Sequence, residues 1–221
     1  MTRCYVLVEG QTEEAFVNRV ITPHLLSVGY LAATPVVIAT KRSASGGKYK
    51  GGVGSWEQVE RELLLLCRDG GATVTSMIDL YGLPAETPGL ADAPTGPPRV
   101  RVEHIENAMS RHLGQPNLIA NIMLHEFETL LYVDPDLVGQ HFAMPGLTTA
   151  MQTDVHQCGE PEAVDDGPDT APSKRIRAHV PGFLKATDGP TIAADIGLAR
   201  LRGACPHFDG WISALESAGM S

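Results

Sequence analysis

Apolar residues recur along the chain in two periods that take turns. Residues 4–8 form a short apolar, β-branched run, the mark of a buried strand. Gly10-Gln11-Thr12 turns the chain and offers Thr12 as a helix N-cap. Glu13 and Glu14 then occupy the first helical turn, where the macrodipole favours anions. Phe16, Val17, Val20 and Ile21 repeat at helical spacing until Pro23. Residues 35–39 predict a second strand, followed by a glycine-, serine- and lysine-rich loop. Ser55 with Gln58 is a capping-box signature that opens a helix carrying Val59, Leu63, Leu66 and Cys67. Residues 73–78 predict a third strand ending at Asp79. A proline- and glycine-rich loop fills 82–98, residues 102–113 form an amphipathic helix, and residues 118–124 predict a fourth strand. Strand–helix alternation of this kind implies right-handed crossovers and an α/β fold, a mostly parallel sheet flanked by helices. From about residue 134 strand-like runs vanish, and short helical stretches are divided by proline and glycine. The expected organisation is an α/β domain over 1–133 and a C-terminal helical extension over 134–221 packed on it.

The wider composition narrows the function classes. The chain has 221 residues with 43% apolar and 19% charged residues, so it can bury its own core without a metal or disulfide staple. No apolar run approaches the roughly 18 residues that a membrane span needs, and the N-terminal run, broken at Glu9, does not read as a signal peptide. The four cysteines are scattered with no Cys-x-x-Cys pair, which fits reduced thiols and a cytoplasmic setting. A net charge of −9 argues against non-specific coating of nucleic acid, yet leaves room for an acidic metal site with a local basic rim. The P-loop, the G-x-G-x-x-G fingerprint, the G-x-S-x-G elbow and H-E-x-x-H are all missing.

What the sequence does carry is acids at strand ends. Glu9 follows the first strand, Asp79 the third and Glu126 the fourth, with Glu128 two residues on. In a parallel sheet these groups converge on the carboxyl edge, where open α/β sheets bind ligands. Unpaired carboxylates brought together repel one another, and a hard divalent cation, Mg²⁺ or Mn²⁺, relieves the repulsion. Glu13 lies within one turn of Glu9; it either reaches the same metal or only complements the helix dipole. Glu126 and Glu128 share a face in a strand but diverge by about 200° in a helix, so a helical stretch would keep both from ligating one ion. His125 is a candidate general base or phosphate contact, weighed against a structural histidine.

Two basic stretches fit a phosphate backbone. Lys41, Arg42, Lys48 and Lys50 lie in the loop after the second strand, on the same edge as Glu9. Lys174 and Arg175 open a helix after Ala171-Pro172, where cations oppose the dipole and call for an anionic partner or nearby acids such as Asp165.

The segments Val8-Glu-Gly-Gln-Thr-Glu-Glu-Ala-Phe-Val17, Met77-Ile-Asp-Leu-Tyr-Gly-Leu-Pro84, His125-Glu-Phe-Glu-Thr-Leu-Leu131, Ala171-Pro-Ser-Lys-Arg-Ile176 and Cys205-Pro-His-Phe-Asp-Gly-Trp211, with the glycine-rich loop, resemble domain-of-unknown-function family 4276. That family is similar to Toprim-like proteins related to the nuclease half of overcoming-lysogenization-defect enzymes. The resemblance implies a Toprim-like fold and Mg²⁺-dependent phosphodiester chemistry on DNA or RNA. It also implies an ATPase partner of the ATP-binding-cassette or AAA type in anti-phage defence. A Toprim site places a glutamate after its first strand and Asp-x-Asp after a later one. Glu9 and Asp79 match, but Tyr81 stands at the second aspartate, with Glu126 or Glu128 as replacement ligand. Two functional classes follow: a metal-dependent nuclease, or a catalytically degenerate module that binds and regulates an ATPase. The residues leave homo-oligomerisation open.

Overall fold

A computed structural model describes residues 2–38, 53–165, 167 and 170–220. Strand β1 (Arg3–Val8) leads into α1 (Gln11–Phe16), a π-helical turn (Val17–Ile21) and α2 (Thr22–Ser27), then β2 (Ala32–Val37). Helix α3 (Trp56–Cys67) precedes β3 (Ala72–Asp79), and α4 (Pro98–Leu113) precedes β4 (Leu118–Ile119) and β5 (Ile122–Met123). A 3-10 segment (Phe127–Val133) then opens a run of helices: α5 (Pro135–His141), α6 (Pro145–Cys158), α7 (Pro172–His179), α8 (Lys185–Ile196), α9 (Leu198–Ala204) and α10 (Pro206–Gly219).

The sheet order is β2-β1-β3-β4, with β5 also pairing with β3, and every pairing is parallel. The α/β class expected from the alternation is therefore the class observed. Strand β3 is central and its first seven residues are buried, because it is covered on both faces and both edges. Alternation along β1 divides the core. Cys4, Val6 and Val8 face one layer with Phe16, Val20 and Ile21 of the first helical segment, while Leu7 faces the other with residues of α3 and α4. The first layer also takes Ile192 and Ala193 of α8 and Phe208, Trp211 and Leu215 of α10. Side chains after residue 134 thus join those of β1 and α1 in one continuous core.

Strand β2 starts at Ala32 rather than at 35 and α4 at Pro98 rather than at 102, and two further differences bear on the site. Helix α1 begins two residues early, with Gly10 as N-cap rather than Thr12, because the Glu13 carboxylate reaches back and its Oε2 accepts the Gly10 amide at 2.9 Å. The run 118–124 is not one strand but two short ones, β4 and β5, separated at Ala120-Asn121. There side chains replace the ladder. The Asn121 Nδ2 donates to the Ser76 carbonyl at 3.0 Å, and the Ser76 hydroxyl donates to the Asn121 carbonyl at 2.8 Å. The interruption re-aims the chain into the stretch that carries Glu126 and Glu128.

Candidate metal centre

Parallel register delivers the acids to one edge. Val8 pairs with Met77 and Asp79 with Met123, so Glu9, Asp79 and the residues after Met123 leave the sheet side by side. Carboxylate oxygens of Asp79, Glu126 and Glu128 lie within 4.8 Å of one another. That separation is about the span of two oxygens on opposite sides of one hard cation, roughly 4–5 Å. Asp79 and Glu126 are half-buried and Glu128 is buried.

The convergence of Glu126 and Glu128 corrects the expectation that a helical stretch would separate them. The stretch is helical, but Glu126 is its N-cap in extended conformation (φ −141°, ψ 160°) and only Glu128 lies inside the 3-10 turn. The extended residue swings its side chain toward that of Glu128 instead of letting the two follow helical divergence.

Backbone amides fix two of the carboxylates. The Phe127 amide donates to Asp79 Oδ1 at 2.9 Å, and the Ser173 amide, in the first turn of α7, donates to Glu126 Oε2 at 3.0 Å. Lys185, the first residue of α8, supplies the cation. Its Nζ donates to Glu126 Oε1 at 3.2 Å and lies 2.9 Å from Glu128 Oε2. Glu128 Oε2 is thus held by the ammonium, while Glu128 Oε1 and Glu9 Oε2 are buried without a partner. Glu9 packs over Gly82, where a β-carbon would come within 2.3 Å of Oε2; only glycine allows that approach.

Charge within this pocket is under-compensated. Burial, reinforced by Glu126 and Glu128 and opposed by the Asp79 backbone and Lys185, raises the Glu9 pKa. Burial and then Glu9 raise that of Glu13, against the amides of its own turn. Asp79 is pushed well above the carboxylate range, first by burial and then by Glu13, Glu9 and Glu128. Burial carries Glu128 up to about 7 although Lys185 opposes it. For Lys185, burial alone would favour the neutral amine, but Glu128, Glu126 and Asp79 outweigh it and hold the ammonium above its usual range. One ammonium faces several carboxyl groups, and their raised pKa values record the cost of burying them together. The unpartnered Glu128 Oε1 and Glu9 Oε2, both hard donors, fit a divalent cation.

The other candidate residues fall as follows. Glu13 spends Oε2 on the Gly10 amide and is buried beside Glu9. His125 is buried at φ 63°, a left-handed conformation costly for a residue with a β-carbon. Its Nδ1 lies 3.2 Å from Asp165 Oδ2, which also accepts the Tyr81 hydroxyl. Burial first, and Arg101 second, lower the His125 pKa to about 4, so its ring is neutral near pH 7. Lys174 is exposed on α7, next to the Ser173 that anchors Glu126. Arg175 pairs with Asp154 at 2.5 Å and donates to the Thr170 carbonyl at 2.7 Å. Lys41, Arg42, Lys48 and Lys50 lie outside the described residues.

Sequence reasoning missed Lys185, Gly82 and the Ser173 amide. A lysine at the first position of a helix, against the dipole, was the one available signal for Lys185. Gly82 gives no sign of its role until Glu9 is seen lying over it.

Among the described residues no helix is long and apolar enough to cross a membrane. No curated protein and no solved structure matches the chain. A family model does: over residues 8–216, nearly its whole length, the chain belongs to the family described as domain of unknown function DUF4276.

Proposed function

We propose that this chain is a divalent-metal-dependent phosphodiester hydrolase, a nuclease acting on DNA or RNA. Mg²⁺ or Mn²⁺ would be held by Asp79, Glu126 and Glu128, with Glu9 beside them. The observation that carries the reading is the carboxylate cluster at the carboxyl edge of the sheet, with Glu128 Oε1 and Glu9 Oε2 buried and without a partner. A divalent ion bound there supplies Lewis-acid polarisation of a phosphoryl oxygen and a water acidified to a nucleophile.

The protein's own part is to hold the ligands still. The Phe127 and Ser173 amides fix Asp79 Oδ1 and Glu126 Oε2, which turns Asp79 Oδ2 and the Lys185-bound Glu126 Oε1 toward the ion position. Burial of Glu128 keeps competing water away and strengthens every charge interaction at the site. Glu13 stiffens the turn that presents Glu9. His125, neutral and lodged against Asp165, shapes the backbone immediately before Glu126. Phosphate contacts fall to Lys174 on α7, tied to the site through Ser173, and to Lys41, Arg42, Lys48 and Lys50; Arg175 braces α7 through Asp154.

A second reading rests on Tyr81. Where the Toprim pattern has its second aspartate, this chain has a phenol whose hydroxyl is taken up by Asp165. In that reading the site is catalytically silent, and the protein docks on and controls an ATPase, as the family resemblance implies for anti-phage systems. Incubation of the full chain with DNA and RNA in Mg²⁺ or Mn²⁺, alone and with an ATPase partner, separates the two. The nuclease reading expects cleavage that Asp79→Ala and Glu9→Ala abolish while thermal unfolding stays cooperative. Undiminished cleavage by both variants refutes the assignment; metal binding with no cleavage under any condition favours the second reading.

A further inference from the structure

The acid cluster already contains a cation that belongs to the chain. Lys185 Nζ stands 3.2 Å from Glu126 Oε1 and 2.9 Å from Glu128 Oε2, two of the three carboxylates whose oxygens gather within 4.8 Å. Two oxygens of the candidate ligand set are therefore already engaged by an ammonium. A divalent ion ligated by the same oxygens would face the ammonium across a few ångströms of poorly solvated interior, where like charges repel strongly.

The position of Lys185 fits a removable plug. It is the first residue of α8, where the helix dipole disfavours a cation. The helix start does not depend on it, since the Leu184 amide is capped by Asp188 Oδ2 at 2.8 Å. The Lys185 side chain is 29% exposed and its neighbour Leu184 is 62% exposed, so the ammonium can swing to solvent without unpacking the core. Glu128 differs: it is 1% exposed, so it cannot follow the lysine outward.

We propose that Lys185 is an intramolecular placeholder for the metal: in the metal-free protein its ammonium fills the cation position among Glu126, Glu128 and Asp79, and metal entry expels it to solvent. The inference rests on the metal-centre reading but not on nuclease activity. The lysine keeps the buried carboxylates neutralised when metal is scarce. It also sets a threshold, because the ion must outcompete a tethered cation, and a competing state lowers apparent affinity by the fraction of protein it occupies.

The test uses the full wild-type chain and Mn²⁺ alone. Brief labelling with an amine-reactive ester, read by peptide mass spectrometry, follows Lys185 against Lys174 on the exposed side of α7. Mn²⁺ at a concentration shown by calorimetry to saturate the protein is expected to raise Lys185 labelling several-fold and leave Lys174 unchanged. Lys185→Gln is expected to bind Mn²⁺ about tenfold more tightly. Saturating Mn²⁺ with Lys185 labelling unchanged or reduced overturns the displacement and leaves the metal centre standing. Absence of Mn²⁺ binding to both proteins overturns the metal centre and this inference together. Should the Gln variant fail to fold, wild-type labelling decides alone.

Discussion

Replacing Glu128 by glutamine isolates the cost of burying one acid. The Glu128 carboxyl is 1% exposed, and burial moves its pKa from 4.5 to about 7. An acid with its pKa raised on folding binds more protons folded than unfolded between those values. Its contribution to stability is therefore full below 4.5, is lost as pH rises toward 7, and is constant beyond. At about 1.4 kcal/mol per pH unit, the displacement from 4.5 to about 7 amounts to about 3 kcal/mol lost across that window. Asp79, Glu9 and Glu13 are raised as well and add slopes of the same sign. Glu128→Gln removes that titration together with the Lys185 ion pair, which forms only once the acid ionises, while the repacking around a neutral amide shifts stability equally at every pH. The slope is therefore the readout. Urea unfolding with a metal chelator, from about pH 4 to about pH 8, is expected to show the wild type losing about 3 kcal/mol more than the variant. Saturating Mg²⁺ should flatten the wild-type curve, because the ion competes with protons for the same oxygens. Parallel wild-type and variant curves without metal would refute the reasoning.

Two structural predictions accompany it. Gly82→Ala places a β-carbon 2.3 Å from Glu9 Oε2 and 3.0 Å from its Cδ, so Glu9 must move. Calorimetry should show weaker Mn²⁺ binding, and unfolding a loss of about 1–3 kcal/mol. Asn121→Ala removes the amide that satisfies the buried Ser76 carbonyl where β4 breaks into β5, and should cost about 1–3 kcal/mol in chemical unfolding.

Strands β1 and β3 were legible because both are continuous apolar runs, and their acids were legible because each interrupts such a run at its end. The parallel arrangement followed from alternation alone. Residues 118–124 read as one edge strand because they are apolar apart from Asn121, and only the fold reveals that this amide substitutes for a ladder bond to Ser76. The geometry of Glu126 and Glu128 turned on the φ and ψ of one N-cap, a quantity that no periodicity encodes. Lys185 was invisible for a different reason. It stands alone in sequence, far from every acid it meets, and reaches them because α8 packs along α1 in the shared core layer.

The central claim is that Asp79, Glu126 and Glu128 form one cation site. Anomalous diffraction at the manganese edge from crystals of the full chain grown with Mn²⁺ addresses it directly. The account predicts a peak coordinated by carboxylate oxygens of all three residues. Mn²⁺ bound elsewhere, or no peak at saturating metal with the three carboxylates still gathered around Lys185, would contradict it.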